Sequence, residues 1–316
     1  TISYVDGNCS GSHVGTSWGT AFVTLQEAMN AASAGNQIWV AEGTYAPVDM
    51  STHSDLALYG GFQPGQSALG DRDWVAHETI VDGGNSARCM MVWNGATVDG
   101  FTIANGYATF GSGMAIPAST PVVVQHCTFT NNTATQRAGA MYCLTGATLT
   151  ISECTFSGNT VSDYGSTPYG GGAIYVEQSS PTITNCEFTG NAAYVGGAVH
   201  LYDDSIATVT DCVFTSNTAY GSGGAVYMDP SASLAMTDCA FTGNSATLSG
   251  GAFGANNGGA PHIERCTFFD NQGATGGGLS ISYFATPTLV NCVIAGNTST
   301  GMGGGIGGGN MSTISL

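Results

Sequence analysis

Short runs of alternating apolar and polar residues recur along most of the chain. One apolar series follows a pair of small residues and comprises Met141, Ile174, Val199, Val226, Phe253, Leu279 and Ile306. A second apolar series stands two positions later and comprises Cys143, Val176, Leu201, Met228, Ala255 and Ile281. The residues between them are Tyr142, Tyr175, His200, Tyr227, Gly254 and Ser280. A period of two predicts short β-strands with both apolar series facing inward and the intervening residues facing outward.

A second motif, Cys-x-Phe-x-x-Asn, precedes each small pair and occurs seven times, with Ile in place of Phe in the last copy. Its copies lie 26 to 32 residues apart, and the longest interval contains an additional stretch at 161–169. Phased motifs at this period predict a solenoid in which each repeat forms one coil. The motif cysteines are Cys127, Cys154, Cys186, Cys212, Cys239, Cys266 and Cys292, and the asparagines are Asn132, Asn159, Asn191, Asn217, Asn244, Asn271 and Asn297.

Stacking of the coils places equivalent residues about 4.8 Å apart. We therefore expect the asparagines to form a ladder, each amide bonding to the coils above and below. Most of the motif cysteines are expected to be buried thiols that pack as small hydrophobes, because parallel Cβ vectors suit disulfide geometry poorly. We predict roughly ten coils, with regular coils of about 27 residues over 111–316.

The N-terminal part, 1–110, predicts a cap followed by irregular coils. Thr24 and Glu27 form a capping box, after which apolar residues follow helical spacing up to Gly35. A solenoid needs a cap on its exposed hydrophobic end, and this short helix is suited to that position. Because no linker composition separates the two parts, 1–316 is interpreted as one domain. Strands are expected at 38–40, 56–59, 79–81, 90–93 and 98–103.

Composition narrows the classes of function. The 316 residues include 48 glycines, 21 acidic residues and four basic residues, all arginine, which give a net charge of −17. Without a basic patch, binding to nucleic acid or to an anionic membrane is excluded. The absence of lysine excludes Schiff-base and phosphate-loop chemistry. No apolar run approaches the roughly 18 residues of a membrane span.

The repeated Gly-Gly-Ala-Ile and Phe-x-x-Asn motifs resemble those of polymorphic outer-membrane proteins and related autotransporter passengers. The N-terminal segments Arg72-Asp-Trp74, 79–84 and 98–103 resemble the start of secreted bacterial proteins with pectate-lyase-like folds. The resemblance implies an all-β fold, a right-handed single-stranded parallel β-helix with a short N-terminal capping helix. It is specific for architecture and uninformative about function.

The cysteines point to a compartment outside the cytoplasm. Ten cysteines in this context favour an oxidising environment, so we expect a secreted, extracellular or cell-surface protein. Cys9 and Cys89 lie outside the repeats and are the candidate disulfide. No Cys-x-x-Cys motif or cluster of Cys and His predicts a zinc site.

Candidate ligand-binding residues are expected on the outward face of three neighbouring coils. Aromatic rings beside carboxylates suit the stacking and hydrogen bonding of sugars, although tyrosine is also a favoured strand residue that repeats copy. This predicted patch comprises Tyr175, Glu177, His200, Tyr202, Asp203, Asp204, Tyr227 and Asp229.

Catalysis at this patch is the less favoured interpretation. A glycosidase needs paired carboxylates, for which Asp203, Asp204 and Asp229, with His200, are the candidates. A lyase needs a cation to neutralise a uronate, and the repeat phasing places none of the four arginines near the patch. No cofactor is expected. Calcium is a minor possibility at Asp203–Asp204 or at Asp71 and Asp73.

The C-terminal residues 312–316 resemble 287–291, so the sequence stops where another coil is expected to continue. Either the native chain is longer, or a neighbouring subunit covers this end, because an uncovered coil end templates association. We therefore favour an extracellular structural or adhesive protein that associates end to end into a surface or matrix filament. The alternative is a protein that binds or degrades a polysaccharide, as a glycoside hydrolase rather than a lyase.

Overall fold

The computed structural model describes residues 1–117, 121–144, 146–163, 170–255 and 259–309. Over these residues the chain winds through four parallel sheets, visiting them in the same order in each regular coil. From residue 97 onward each coil contributes one strand to each sheet, so every sheet runs along the axis of the solenoid. The predicted solenoid of β-strands is confirmed.

The four sheets are built from short strands. Within the described residues, sheets 1 to 4 contain eleven, ten, eight and ten strands. Sheet 1 comprises Ile2–Val5, Gln37–Ala41, Ala57–Phe62, Thr97–Asp99, Val122–Gln125, Thr148–Ser152, Ser180–Thr184, Ile206–Thr210, Ser233–Thr237, His262–Glu264 and Thr288–Val290. Sheet 2 comprises Gly43–Tyr45, Thr79–Asp82, Thr102–Ala104, Thr128–Thr130, Thr155–Ser157, Glu187–Thr189, Val213–Thr215, Ala240–Thr242, Thr267–Phe269 and Val293–Ala295. Sheet 3 comprises Tyr107–Phe110, Thr133–Arg137, Thr160–Val161, Ala192–Ala193, Thr218–Ala219, Ser245–Ser249, Gln272–Thr275 and Thr298–Met302. Sheet 4 comprises Val48–Asp49, Met90–Met91, Met114–Ile116, Met141–Cys143, Ile174–Glu177, Val199–Tyr202, Val226–Met228, Phe253–Ala255, Leu279–Ser282 and Ile306–Gly309.

The asparagine ladder is confirmed and lies at the bend between sheets 2 and 3. Asn159 shows the pattern, since its Oδ1 accepts bonds from the backbone N and Nδ2 of Asn132 at 3.2 and 2.9 Å. Its Nδ2 donates to the Phe129 carbonyl and to Asn191 Oδ1 at 2.9 and 3.0 Å. Every polar atom of these buried amides therefore has a partner, which removes the cost of burying them.

Inside the coils, stacked aromatic rings run parallel to that ladder. The rings of Phe129, Phe156, Phe188, Phe214, Phe241 and Phe268 lie 4.6 to 4.9 Å apart along the column. They are fully buried. This spacing equals one strand separation, so each ring contacts its equivalents in the next coils.

The seven motif cysteines form a column between sheets 1 and 2, and Cys9, Cys89 and Cys143 lie outside it. All ten lie in the described part of the chain and are free thiols. Cys9 Sγ contacts the Trp18 carbonyl, whereas Cys89 Sγ contacts the Ala104 carbonyl, so the predicted disulfide between them is wrong. Burial raises the pKa of Cys89 to about 12, which keeps this thiol protonated and unreactive at neutral pH.

The predicted capping helix spans Leu25–Ala31 and begins with the expected capping box at Thr24 and Glu27. Its residues Leu25, Ala28 and Met29 are buried in the same core as the first coils. Two single turns of 3-10 helix, Trp18–Thr20 and Leu69–Asp71, lie in the same N-terminal region. The helix thus covers the apolar end of the stack, as the sequence predicts.

Candidate functional site

The sequence-predicted patch lies where expected, on the outer side of sheet 4, but much of it is closed to solvent. Tyr142, Tyr175, His200 and Tyr227 pair in register across successive strands. Tyr175 is 1% exposed and His200 is fully buried. The expectation that this column is an exposed surface is therefore wrong for these two residues and for Tyr142, which is 6% exposed. Tyr142 and Tyr175 pack in a small cluster separate from the main core.

The side chain of an arginine covers part of this patch. Arg137, at the end of its sheet 3 strand, lies over the rings of Tyr175 and Tyr202 at 5.0 and 5.6 Å. Its Nη1 donates to Glu177 Oε2 at 3.0 Å, and the Tyr142 hydroxyl donates to the same oxygen at 2.6 Å. The prediction that no arginine lies near the patch is wrong, because the turn after residue 137 folds it back onto sheet 4. We call Arg137, Tyr142, Tyr175, Glu177 and Tyr202 the Arg137 cluster.

Two tyrosines of this cluster, Tyr142 and Tyr175, are held neutral. Burial, followed by the bond to Glu177, raises the pKa of Tyr142 to about 12. Burial also raises the pKa of Tyr175. Both phenols therefore act as packed, hydrogen-bonding groups at physiological pH.

The remaining predicted residues flank the cluster. His200 Nε2 lies 2.9 Å from Asp229 Oδ2, while its buried Nδ1 has no partner within the described part of the chain. Asp203 and Asp204 lie in a left-handed turn, and Gln178 Nε2 donates to Asp203 Oδ2 at 2.7 Å. Tyr227 stacks edge-on against His200. The structure thus gathers the predicted residues, and ligand binding or catalysis by them stays a prediction.

A second region, missed by the sequence analysis, is an open cavity of about 260 Å³ on the outer side of sheet 2. We call it the Trp74 cleft. Trp74, Glu78, Thr102, His126, Thr128 and Glu153 contribute to its lining.

A buried carboxylate lies beneath the cleft and fixes the residues around it through hydrogen bonds. Asp99 is 1% exposed and bonds to Arg72 Nη2 at 2.5 Å. It also accepts bonds from Gln125 Nε2 and His126 Nδ1, both at 2.8 Å. Three donors thus saturate one carboxylate, which compensates for its removal from water. Arg72 in turn lies over the rings of Tyr59 and Trp74, 5.1 and 4.9 Å from their centroids.

His126 and Trp74 form one wall of the cleft. Because His126 Nδ1 donates to Asp99, its Nε2 is directed towards Glu153, whose Oε2 lies 3.5 Å away. The imidazole stacks on Trp74 with ring centroids 4.3 Å apart. Gly100 has φ +79, and a Cβ there would lie 3.1 Å from Trp74 Cβ. Glycine at this turn therefore lets the indole approach the coil closely.

The floor of the cleft is a row of hydroxyl groups. Thr102, Thr128 and Thr155 pair in register on three neighbouring strands. Thr102 Oγ1 donates to Glu78 Oε1 at 2.9 Å, which fixes that carboxylate at one end of the row. At the other end Thr155 pairs with Glu187. Glu153, Thr155, Asn185 and Glu187 line a more open depression that continues the cleft by one coil.

This arrangement offers an aromatic ring, hydroxyls at one strand spacing and exposed carboxylates along one groove. Such surfaces bind polyhydroxylated ligands through ring stacking and hydrogen bonds. The available sequence signal was the histidine at position 126, where later coils have Glu153, Asn185, Asp211 and Asp238. Arg72 and Trp74 gave no such signal, because they lie in an irregular segment outside the repeat.

Asp71 and Asp73, one of the acidic pairs predicted as a calcium site, accept hydrogen bonds from backbone amides. Asp73 accepts bonds from the amides of Ala76 and Val75, which lower the pKa of its carboxyl. Asp71 accepts from the amides of Ser67 and Ala68. Over the described residues, no group of three or more potential metal ligands is present. Calcium binding stays a prediction.

Two further observations concern membranes and the chain end. No helix in the described ranges is long and apolar enough to cross a membrane. The prediction of end-to-end association depends on residues 312–316. These residues lie outside the part of the chain that the structure describes.

Comparison with known proteins identifies the fold. The family model described as "Right handed beta helix region" matches residues 33–180 and 172–315. No curated protein matches the chain. A solved structure described as "Rhamnogalacturonan lyase" is similar over 94% of this chain and 75% of its own, with 13% identity and a TM-score of 0.35. Similarity at that level supports no conclusion about activity.

Proposed function

The chain belongs to the right-handed β-helix family, and on that premise we propose that it is an extracellular adhesive protein that binds a polysaccharide in the Trp74 cleft. The observation that carries this proposal is the wall of the cleft, where Trp74 stacks on a histidine fixed by a buried carboxylate. A preorganised wall loses little conformational freedom when a ligand binds.

The chemistry of the cleft suits a sugar chain. Trp74 is half-buried and Val75 beside it is 82% exposed, so apolar surface is available for the C–H faces of a sugar ring. The hydroxyls of Thr128 and Thr155 lie one strand apart and can bond to successive sugar hydroxyls. The groove runs along the solenoid axis across several coils, as an extended polymer requires.

The location outside the cell is part of the same proposal. It is supported by the resemblance of the N-terminal segments to secreted proteins, whereas the ten cysteines give it no support because all of them are free thiols. Association into filaments is compatible with it, because the cleft lies on the side of the solenoid and not at its end.

Replacement of Trp74 tests the proposal. Trp74→Ala is expected to weaken binding to a polysaccharide selected on a glycan array about tenfold, the equivalent of roughly 1.4 kcal/mol. Titration calorimetry measures the change, and a reducing-end assay on the same mixture shows whether the chain is also cut. Trp74→Phe, which keeps an aromatic face, is expected to retain most of the binding.

Phe269→Ala is the matched control, since Phe269 is 40% exposed on the same sheet several coils away. It is expected to bind like the unmodified protein. Equal binding by a folded Trp74→Ala variant, or no glycan bound by the unmodified protein, would overturn the proposal.

A further inference from the structure

The Trp74 cleft carries negative charge that nearby cations do not neutralise. Glu78 and Glu153 line it, and Glu187 lies in the depression that continues it. Arg72, the guanidinium closest to this wall in the described part of the chain, is 8% exposed and engaged with Asp99. Among the described residues, a ligand in the groove therefore meets carboxylates and no free guanidinium, and the one basic group beside them is the imidazole of His126, 3.5 Å from Glu153.

Resting on the proposed function, we propose that the cleft selects a polysaccharide of amino sugars whose free amines are protonated. The pyranose rings supply the apolar faces for Trp74 and the hydroxyls for the threonine row. The ammonium groups supply the positive charge that Glu153 and Glu187 lack in the free protein.

The register of the strands supports this selection. Thr155 and Glu187 occupy equivalent positions in adjacent coils, so the row of hydroxyl groups ends in a carboxylate about 4.8 Å further along the groove. Glu153 stands two residues before Thr155, at the turn that enters the same strand. One pyranose unit of an extended chain has a comparable length, which allows successive units to present their amines to successive coils.

The carboxylates of the groove strengthen the preference for an amino sugar, but they do not provide most of the binding free energy. Glu153 is 61% exposed, so its interaction with an ammonium is screened by water and salt. Several such contacts along a polymer add together, and the net charge of −17 attracts polycations and repels acidic polysaccharides. A basic peptide shares the charge but lacks the ring faces and hydroxyls that Trp74 and the threonine row accommodate.

Calorimetry with three oligosaccharides of equal length and linkage tests this inference. The three are a glucosamine oligomer, its N-acetylated form and the corresponding glucose oligomer, each titrated at low and high salt near pH 6. The glucosamine oligomer is expected to bind at least tenfold more tightly than the other two at low salt, and this advantage should shrink at high salt. Glu153→Gln and Glu187→Gln should reduce the advantage severalfold, because they weaken binding of the glucosamine oligomer more than binding of the glucose oligomer.

Asp204→Asn is the control, because it removes one carboxylate in a turn that the cleft does not include. It should leave the preference intact. Equal affinity for the three sugars would overturn the inference while leaving glycan binding established. Oligolysine that bound as tightly as the glucosamine oligomer, with no effect of Trp74→Ala on either, would also overturn it. No binding of any glycan would instead remove the proposed function itself.

Discussion

The Trp74 cleft and the Arg137 cluster are built from similar parts with opposite exposure. Each has an arginine lying over two aromatic rings, Tyr59 and Trp74 in one and Tyr175 and Tyr202 in the other. Each arginine bonds to a carboxylate, and each region includes a histidine paired with an acid. Yet His200 is fully buried, whereas His126 lines an open cavity.

The position of the arginine accounts for this difference. Arg72 lies beneath Trp74 with its carboxylate, so the indole and imidazole remain available above it. Arg137 instead lies on top of the rings, where it covers Tyr175 and is itself 28% exposed. The same combination of groups therefore supports a binding surface when the ion pair is underneath and seals that surface when the pair is on top.

The largest effect is expected from removing the buried carboxylate of the cleft. Asp99→Ala removes the carboxylate from the buried guanidinium of Arg72, which keeps only its bond to the backbone carbonyl of residue 99 and its contacts with the rings of Tyr59 and Trp74, so we expect a loss of about 3–5 kcal/mol in the free energy of unfolding. Denaturant titration followed by circular dichroism measures the loss. Binding to the cleft should be lost as well, because Asp99 fixes His126.

Glu177→Ala gives the matched measurement in the other region. Arg137 keeps contact with water, so the expected loss is about 1 kcal/mol. Equal losses of unfolding free energy in Asp99→Ala and Glu177→Ala would contradict the distinction between the ion pair beneath Trp74 and the ion pair on top of the tyrosine rings.

A smaller loss of unfolding free energy, which affects both the Trp74 cleft and the Arg137 cluster, is expected when the asparagine ladder between them is interrupted. Asn159 lies in the coil that carries Glu153 at the cleft and leads to Glu177 in the cluster. Asn159→Ala leaves the backbone N–H of Asn132 and one of its two side-chain N–H groups without an acceptor, while the other still donates to the Ile103 carbonyl, and a loss of roughly 2–3 kcal/mol is expected.

Hydrogen exchange should show faster opening on both sides of residue 159. Thr208→Ala, at an exposed position of sheet 1, is expected to stay within about 0.5 kcal/mol of the unmodified protein. Protection lost at the cleft alone would mean that the two regions do not share this support.

The smallest effect is a dependence on alkaline pH that distinguishes the cluster. The pKa of Tyr142 is raised to about 12 in the folded chain, against about 10 when unfolded. Above pH 10 the unfolded chain releases this proton first, so the associated stabilisation declines between pH 10 and pH 12. Tyr142→Phe should make the stability curve flatter over that range.

Phe110→Ala serves as the comparison, because it removes a ring stacked on Tyr142 but no titrating group. It should lower the curve and, because it uncovers part of Tyr142, flatten the slope less than Tyr142→Phe does. An unchanged slope in Tyr142→Phe would contradict the assignment of this dependence to the cluster.

The ladders could be predicted from the sequence because each repeated residue meets its own copy in the next coil. Asn159 and Phe156 illustrate this, since their partners are the equivalent residues of neighbouring coils. Arg137 could not be placed, because its direction depends on the turn between sheets 3 and 4. The cleft could not be predicted for a related reason. Trp74 and Arg72 lie in an irregular segment, so the repeat does not indicate which residues they contact.

The residue before each ladder cysteine adopts a left-handed backbone conformation, with φ values of 49 to 55° at His126, Glu153, Asn185, Asp211, Asp238, Arg265 and Asn291. Side chains there leave the coil at a corner and make no part of the apolar core. Histidine, glutamate, asparagine, aspartate and arginine all occupy this corner without disturbing the coil that carries it. The solenoid therefore displays a line of interchangeable positions at a fixed pitch, along which a new recognition surface can evolve one residue at a time while the stack itself stays unchanged.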